Sequence, residues 1–201
     1  MAVKFQYNKT SLQGLEKQYK MRVRALPTIK NKESALRIEV KKAKDEVVRL
    51  EAVLQQTMAD YDSMVALWSE FDTSLVKIED VRMTMKKIAG VKIPVLEGVD
   101  FSIGKFSIFN QPKWFLDGIK VVKELAEIGI EQEFYQQKVL LLDHARKKTT
   151  QKVNLFEKVQ IPGYDDAIRK IKRFLEDEEN LSKSAQKIVK SRQKEGKEEE
   201  S

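Results

Sequence analysis

The chain has 201 residues, 34% of them charged, with 8 Gly, 4 Pro and no Cys. The lack of cysteine excludes disulfide staples and thiolate metal sites. So little glycine and proline argues against a loop-rich compact enzyme and for extended helices with solvated outer faces. The net charge of +7 arises among 31 acids, often three or four residues from a base, which reads as a solvated helix exterior more than a specific basic surface. No run approaches the roughly 18 consecutive apolar residues of a spanning helix. The start, MAVKFQYNKT, lacks the apolar stretch of a signal peptide. The expectation is a soluble, cytoplasmic protein with no direct membrane insertion, free to attach peripherally to a membrane complex.

The first element is a long helix, expected from about Thr10 to Lys87. Alternate steps of three and four residues select Leu12, Leu15, Tyr19, Arg22, Leu26, Ile29, Glu33, Leu36, Val40, Ala43, Val47, Leu50, Leu54, Thr57, Tyr61, Met64, Trp68, Phe71, Leu75 and Ile78. Only Arg22, Glu33 and Thr57 are not apolar. Such a heptad stripe belongs to a helix wound against a partner. The core candidates in this arm are Leu36, Val40, Val47, Leu50, Leu54, Tyr61, Met64, Trp68, Phe71 and Leu75. Thr10 and Ser11 are candidate caps. Pro27 predicts a kink or short break, because it lacks an amide donor and crowds the preceding turn. Beyond it the arm would span roughly 90 Å at about 1.5 Å per residue. Lys17, Lys20, Arg22, Arg24, Lys30 and Lys32 crowd one end of the arm. They suit either a solvated helix face or a patch that meets a partner.

From Gly90 to Gly118 the pattern changes to alternation: Val91, Ile93 and Val95, then Val99, Phe101 and Ile103, with Glu97-Gly98 as a turn signal. That predicts a β-hairpin. An aromatic cluster around Asn110-Gln111-Pro112 follows it. A lone hairpin is marginal in water, so it must pack on the arms, on a partner, or on both. Val95, Phe101, Phe106, Phe109 and Trp114 are the candidates for a partner contact.

A second arm is expected from about Lys113 to Arg192. Its stripe runs through Val121, Leu125, Ile128, Gln132, Tyr135, Val139, Leu142, Arg146, Thr149, Val153, Phe156 and Gln160. It then slips by one residue beside Pro162-Gly163 and resumes at Tyr164, Ala167, Ile171, Phe174, Glu178, Leu181, Ala185 and Ile188. Val153, Phe156, Ile171 and Phe174 are its core candidates. Gly129 reads as a joint, and Ser191–Ser201 as a charged, disordered tail. The fold expectation is mainly α: two long helices in an antiparallel coiled coil, joined by a short insert of β-hairpin and short helix. Residues 1–88, 89–118, 119–190 and 191–201 would be arm, insert, arm and tail.

Patterns of catalysis are missing. Gly104-Lys105 lacks the glycine spacing of a phosphate loop. His144, the one histidine, adjoins Asp143 but has no triad or Glu-x-x-His spacing. No catalytic, metal-binding or cofactor-binding residue is expected, and no small-molecule substrate. The residues alone allow a non-catalytic coiled-coil scaffold or a nucleic-acid-associated tether. Against the tether, bases are not segregated on one face with aromatics between them.

Two regions carry a resemblance. Leu12, Leu15 and Lys20, then Ile29-Lys30-Asn31-Lys32 and Leu36, form the first. The second is Lys152-Val153-Asn154-Leu155-Phe156-Glu157, then Ile161-Pro162, then Ile168, Ile171, Leu175, Glu176, Glu178 and Lys187. The chain resembles the D subunits of V-type (A/V-type) ATP synthases, the central-stalk rotor shafts. It departs from that family's pattern at Pro27 and Ala25. The resemblance implies a non-enzymatic component of a proton- or sodium-translocating ATP synthase/ATPase. Such a shaft carries rotation between a membrane ring and a head of catalytic A and B subunits. It implies contacts with the small F subunit of the stalk and with a rotor-ring adaptor, and none with nucleic acid. Lys20, Arg22, Arg24, Lys30 and Lys32 are the head-contact candidates on this reading.

Overall fold

The computed structural model describes residues 3–61, 71–105, 112 and 114–199. It is mainly helical, 76%, with one small antiparallel hairpin. Helix α1 spans Lys9–Asp60; strands β1 and β2 span Val76–Ile88 and Val91–Ile103. Helix α2 spans Phe115–Asn154, a π-helical turn occupies Leu155–Gln160, and helix α3 spans Ile161–Glu199. The chain divides into two compact units. One is Met1–Asn31 with Thr149–Ser201; the other is Lys32–Lys148.

In the first unit the start of α1 packs against α3. Leu15, Ala167, Ile168 and Ile171 are the buried cluster, with Leu12, Tyr19, Tyr164 and Leu175 around them. Glu16 pairs with Lys172 and Lys30 with Glu157, so numbers rise on one helix as they fall on the other. The pairing is antiparallel. The residues before α1 join in: Val3 and Phe5 pack on this core, and the Tyr7 ring lies 4.9 Å from that of Phe174. Asn8 caps α1, its Oδ1 accepting the Ser11 amide at 2.7 Å. The cap therefore precedes Thr10 and Ser11, both expected to provide it. Pro27 lies inside a continuous α1 and makes no break. It is exposed and off the stripe, so water can satisfy the carbonyl it deprives of a partner.

In the second unit Leu36 and Val40 of α1, Leu142 of α2 and Ile93 of β2 form one buried cluster. Phe71, Phe115 and Ile119 form another, with Trp114 and Leu75 against it. The approach is close at Gly118, where a Cβ would lie 3.1 Å from the Phe71 ring. α2 continues unbroken through Gly129, which is not a joint.

The hairpin differs from expectation. β1 pairs with β2 from Val76–Ile103 to Ile88–Val91, and the turn is Ala89-Gly90. Residues 76–88 do not extend the first arm as their spacing suggests, because α1 ends at Asp60. Leu75 and Ile78 fit the heptad spacing, yet one ends a short 3-10 turn and the other lies in β1. The β-branched run Val76, Ile78, Val81, Thr84 and Ile88 favours a strand there. Glu97-Gly98 is not a turn. Arg82 faces Gly98 and Met83 faces Leu96, so Glu97 is the extra residue of a bulge.

Ala89 has φ 48° and Gly90 φ 85°, the two positive angles of a type I′ turn. Alanine is poorly suited to the first of them. Ala89→Asn is expected to stabilise the chain by about 0.5–1 kcal/mol, because asparagine tolerates that conformation. Thermal unfolding measures it, and a fall in midpoint would contradict the turn geometry.

Candidate functional site

Among the described residues, no cluster of His, Asp and Glu is arranged to hold a metal. His144 is exposed. Asp143 is occupied with its own helix, bonding Arg146 at 2.8 Å and Lys147 at 3.0 Å. Those bonds, Lys147's first, hold its carboxyl below the usual range.

Burial along the heptad stripe of α1 varies with position. Leu36, Val40 and Leu50 are buried, and Val47, Leu54 and Tyr61 are half-buried. Phe71 is buried and Leu75 half-buried, although neither belongs to α1. Val153 and Phe156 are half-buried and Ile171 fully buried. Met64 and Trp68 lie outside the described residues. Phe174 departs from expectation, being 44% exposed. Leu175 takes the inward place beyond Ile171, and Tyr7 covers part of the Phe174 ring instead.

The one-residue slip in the second stripe is the π turn at Leu155–Gln160. A π turn adds a residue to a helix, and the Ile161 amide reaches back five residues to the Phe156 carbonyl. Pro162 follows and has no amide for the α pattern. Arg22 of α1 meets this turn. Its Nε donates to Gln160 Oε1 at 2.7 Å, and its Nη1 donates to the Gln18 side chain. The guanidinium carbon lies 4.6 Å from the Tyr164 ring centre and 5.8 Å from that of Phe156. The charge on the stripe is thus satisfied within the seam by a matching polar residue. Gln160, a polar break in the opposite stripe, was the available signal for this pair.

The five cations read as head-contact candidates do not share one role. Arg22 faces the seam. Lys30 bonds Glu157 at 2.6 Å. The Lys32 ammonium lies beside Gly90 at the hairpin turn. Lys20 and Arg24 are exposed on the outer face of α1, together with Lys17. They flank a shallow groove with Gln13 and Met21. Among the described residues, none of these three outer cations is in an ion pair.

Of the partner-contact candidates, Val95, Phe101 and Trp114 are half-buried. Lys123 lies over the Phe101 ring at 5.6 Å, and Trp114 packs 5.5 Å from Phe115. These three are partly used within the unit. Phe106 and Phe109 lie outside the described residues.

Among the described residues, no helix is long and apolar enough to cross a membrane. Residues 11–191 match the protein family of ATP synthase D subunits. The chain is similar to the V-type ATP synthase D subunit of Borreliella burgdorferi, 29% identical over 191 residues, 94% of each chain. It is also similar to that of Chlamydia trachomatis serovar L2, 28% identical over 201 residues, covering 96% of this chain and 97% of that one. The Chlamydia felis protein of the same name is 29% identical over 182 residues, covering 87% and 86%.

Proposed function

The chain belongs to the family of ATP synthase D subunits, and from that premise we propose how its surfaces serve a rotary machine. It is a non-catalytic, central-stalk component of a V-type ATP synthase, part of a multi-subunit complex. Its task is mechanical: it carries rotation between a membrane ring and a catalytic head. The observation that best supports this is the pair of helical seams, one in each unit, each closed by a cluster of buried apolar side chains. Two helices joined along a filled seam resist twist better than either alone, because neither can turn without unpacking the other.

The partners follow from the same premise. The end of α1 near Lys17, Lys20 and Arg24 meets the A and B subunits of the head. The small F subunit of the stalk and the rotor-ring adaptor bind other faces, with Val95, Phe101 and Trp114 among the contacts. The assembly stands at the cytoplasmic side of the membrane, and ion flow through the ring supplies the torque.

Lys17, Lys20 and Arg24 are exposed and can face acidic loops of the head, whereas Lys30 holds Glu157 and is best left alone. The triple reversal Lys17→Glu, Lys20→Glu and Arg24→Glu is expected to leave the unfolding midpoint nearly unchanged, since exposed charges contribute little to stability. It should lower ATP-driven rotation several-fold in the reconstituted complex, most strongly at low salt. Unaltered rotation and assembly would refute this head contact. The broader reading is tested by mixing the chain with A, B and F subunits. A complex lacking the chain that turns over and rotates normally would overturn it.

A further inference from the structure

We propose that the tip and outer face of the β-hairpin form a docking surface for an acidic segment of another protein in the complex. The inference rests on the chain's place in a multi-subunit assembly and goes beyond it. Among the described residues β1 pairs only with β2, so its outer edge is open. Met83 and Met85 on β1 are 59% and 63% exposed. Directly across from them stand Leu96 and Pro94, both half-buried. Ile93, one residue from Pro94, points the other way into the buried cluster. The methionine strip is therefore the face that the second unit's own core leaves uncovered. It continues into a small cleft of about 80 Å³, where Pro94 and Leu96 meet Phe134 and Tyr135 of α2.

Charge states what kind of partner fits. The hairpin's acids lie away from its tip, with Glu97 at the bulge and Lys77 standing among the root acids, whereas the tip carries bases alone. Glu79, Asp80 and Asp100 lie toward its root, where Arg82 bonds Asp100 at 3.0 Å. Lys87 and Lys92 lie at the tip on the methionine face, Lys86 lies at the tip across from Ile93, and the Lys32 ammonium is beside Gly90. None of these four lysines is in an ion pair among the described residues. Lys138 adds a cation at the cleft, and Glu131 is the one acid lining it among the described residues. An apolar strip bordered by unpaired lysines suits a segment with apolar side chains flanked by Asp and Glu. Methionine adapts its shape to such protein surfaces. A membrane surface is disfavoured, because Phe134 and Tyr135, the rings at the cleft, are half-buried and not free to anchor at the headgroups. A nucleic acid is disfavoured for the same reason, since half-buried rings offer no open face for a base to stack on.

The test places a photo-crosslinking residue at Met85 of the full chain, assembles the complex, and identifies the product by mass spectrometry. The expected product joins Met85 to a peptide of another protein, rich in Asp and Glu. The reversal Lys86→Glu, Lys87→Glu and Lys92→Glu should cut its yield several-fold, while arginine at the same positions keeps it. Both variants should unfold at the same temperature as the parent, since all three positions are exposed. A crosslink to lipid, to a second copy of the chain or to a peptide without acids overturns the inference. So does the absence of a crosslink in the assembled complex, or a yield unmoved by the reversal. All of these are read in a complex that has formed, so failure here leaves the shaft reading standing.

Discussion

Leu142→Ala is expected to destabilise the protein by about 3–4 kcal/mol, within the range for a leucine removed from a closed core. Leu142 is 0% exposed and meets two other elements, α1 through Leu36 and Val40 and β2 through Ile93. Relaxation is hard on every side, because α1, α2 and the hairpin would each have to move inward together. The cavity would therefore persist, which keeps the cost above the low end of the range. Ile93 is the hairpin's buried residue in this cluster, so its grip should loosen as well. Denaturant unfolding should show a lower midpoint with an unchanged slope. Hydrogen exchange should show faster opening of the β2 amides. Leu140 is 63% exposed on the same helix, and Leu140→Ala is expected to change stability by no more than about 0.5 kcal/mol. Equal costs at the two leucines would show that this seam is not where the second unit is held.

Arg22→Ala should cost about 2–3 kcal/mol, whereas Arg22→Met should cost less than about 1 kcal/mol. Alanine removes the hydrogen bond to Gln160, the cation over Tyr164 and the methylene stem that fills the seam. It leaves a half-buried amide without its donor. Methionine restores the volume and keeps an adaptable apolar contact with both rings. Part of the loss then returns, although Gln160 must still turn to water. A double-mutant cycle with Gln160→Leu isolates the pair. The coupling is expected to favour the native combination, with the doubly apolar variant near parental stability. Equal destabilisation by alanine and methionine would mean that the guanidinium charge, not seam filling, dominates. An effect near zero for both would mean that Arg22 is a surface residue in solution.

The heptad stripes are legible where a helix has a partner, because burial along a paired helix repeats with the helix itself; beyond Ile171 the second stripe fails, with Phe174, Glu178, Leu181, Ala185 and Ile188 all exposed. Every stripe position from Leu12 to Tyr61 is buried or half-buried. The slip near Pro162 is legible for the same reason: an extra residue in a periodic pattern has to be absorbed somewhere, and a π turn absorbs it. The hairpin is misread because short apolar runs satisfy two periods at once. Leu75 and Ile78 are three residues apart, as in a helix, while Val76 and Ile78 alternate, as in a strand. Local spacing cannot choose between those readings. The turn is misplaced because Glu97-Gly98 and Ala89-Gly90 are both plausible punctuation, and only strand pairing distinguishes a bulge from a reversal. Residues 191–199, expected to be a disordered tail, are the last part of α3.

The candidate contact residues are less legible than the core. A row of lysines and arginines carries no information about which way each points. Lys30, Arg22 and Lys20 look alike in the sequence, yet one holds Glu157, one fills the seam and one is exposed outside it. The amino-acid sequence by itself determined the mainly helical class, the two stripes and the family, because periodicity and motif spacing are properties of neighbours along a chain. Only the tertiary structure decided which strands pair, where Arg22 finds Gln160 and which lysines remain unpaired. Those are contacts between residues far apart in sequence, and each depends on how surfaces meet rather than on local pattern.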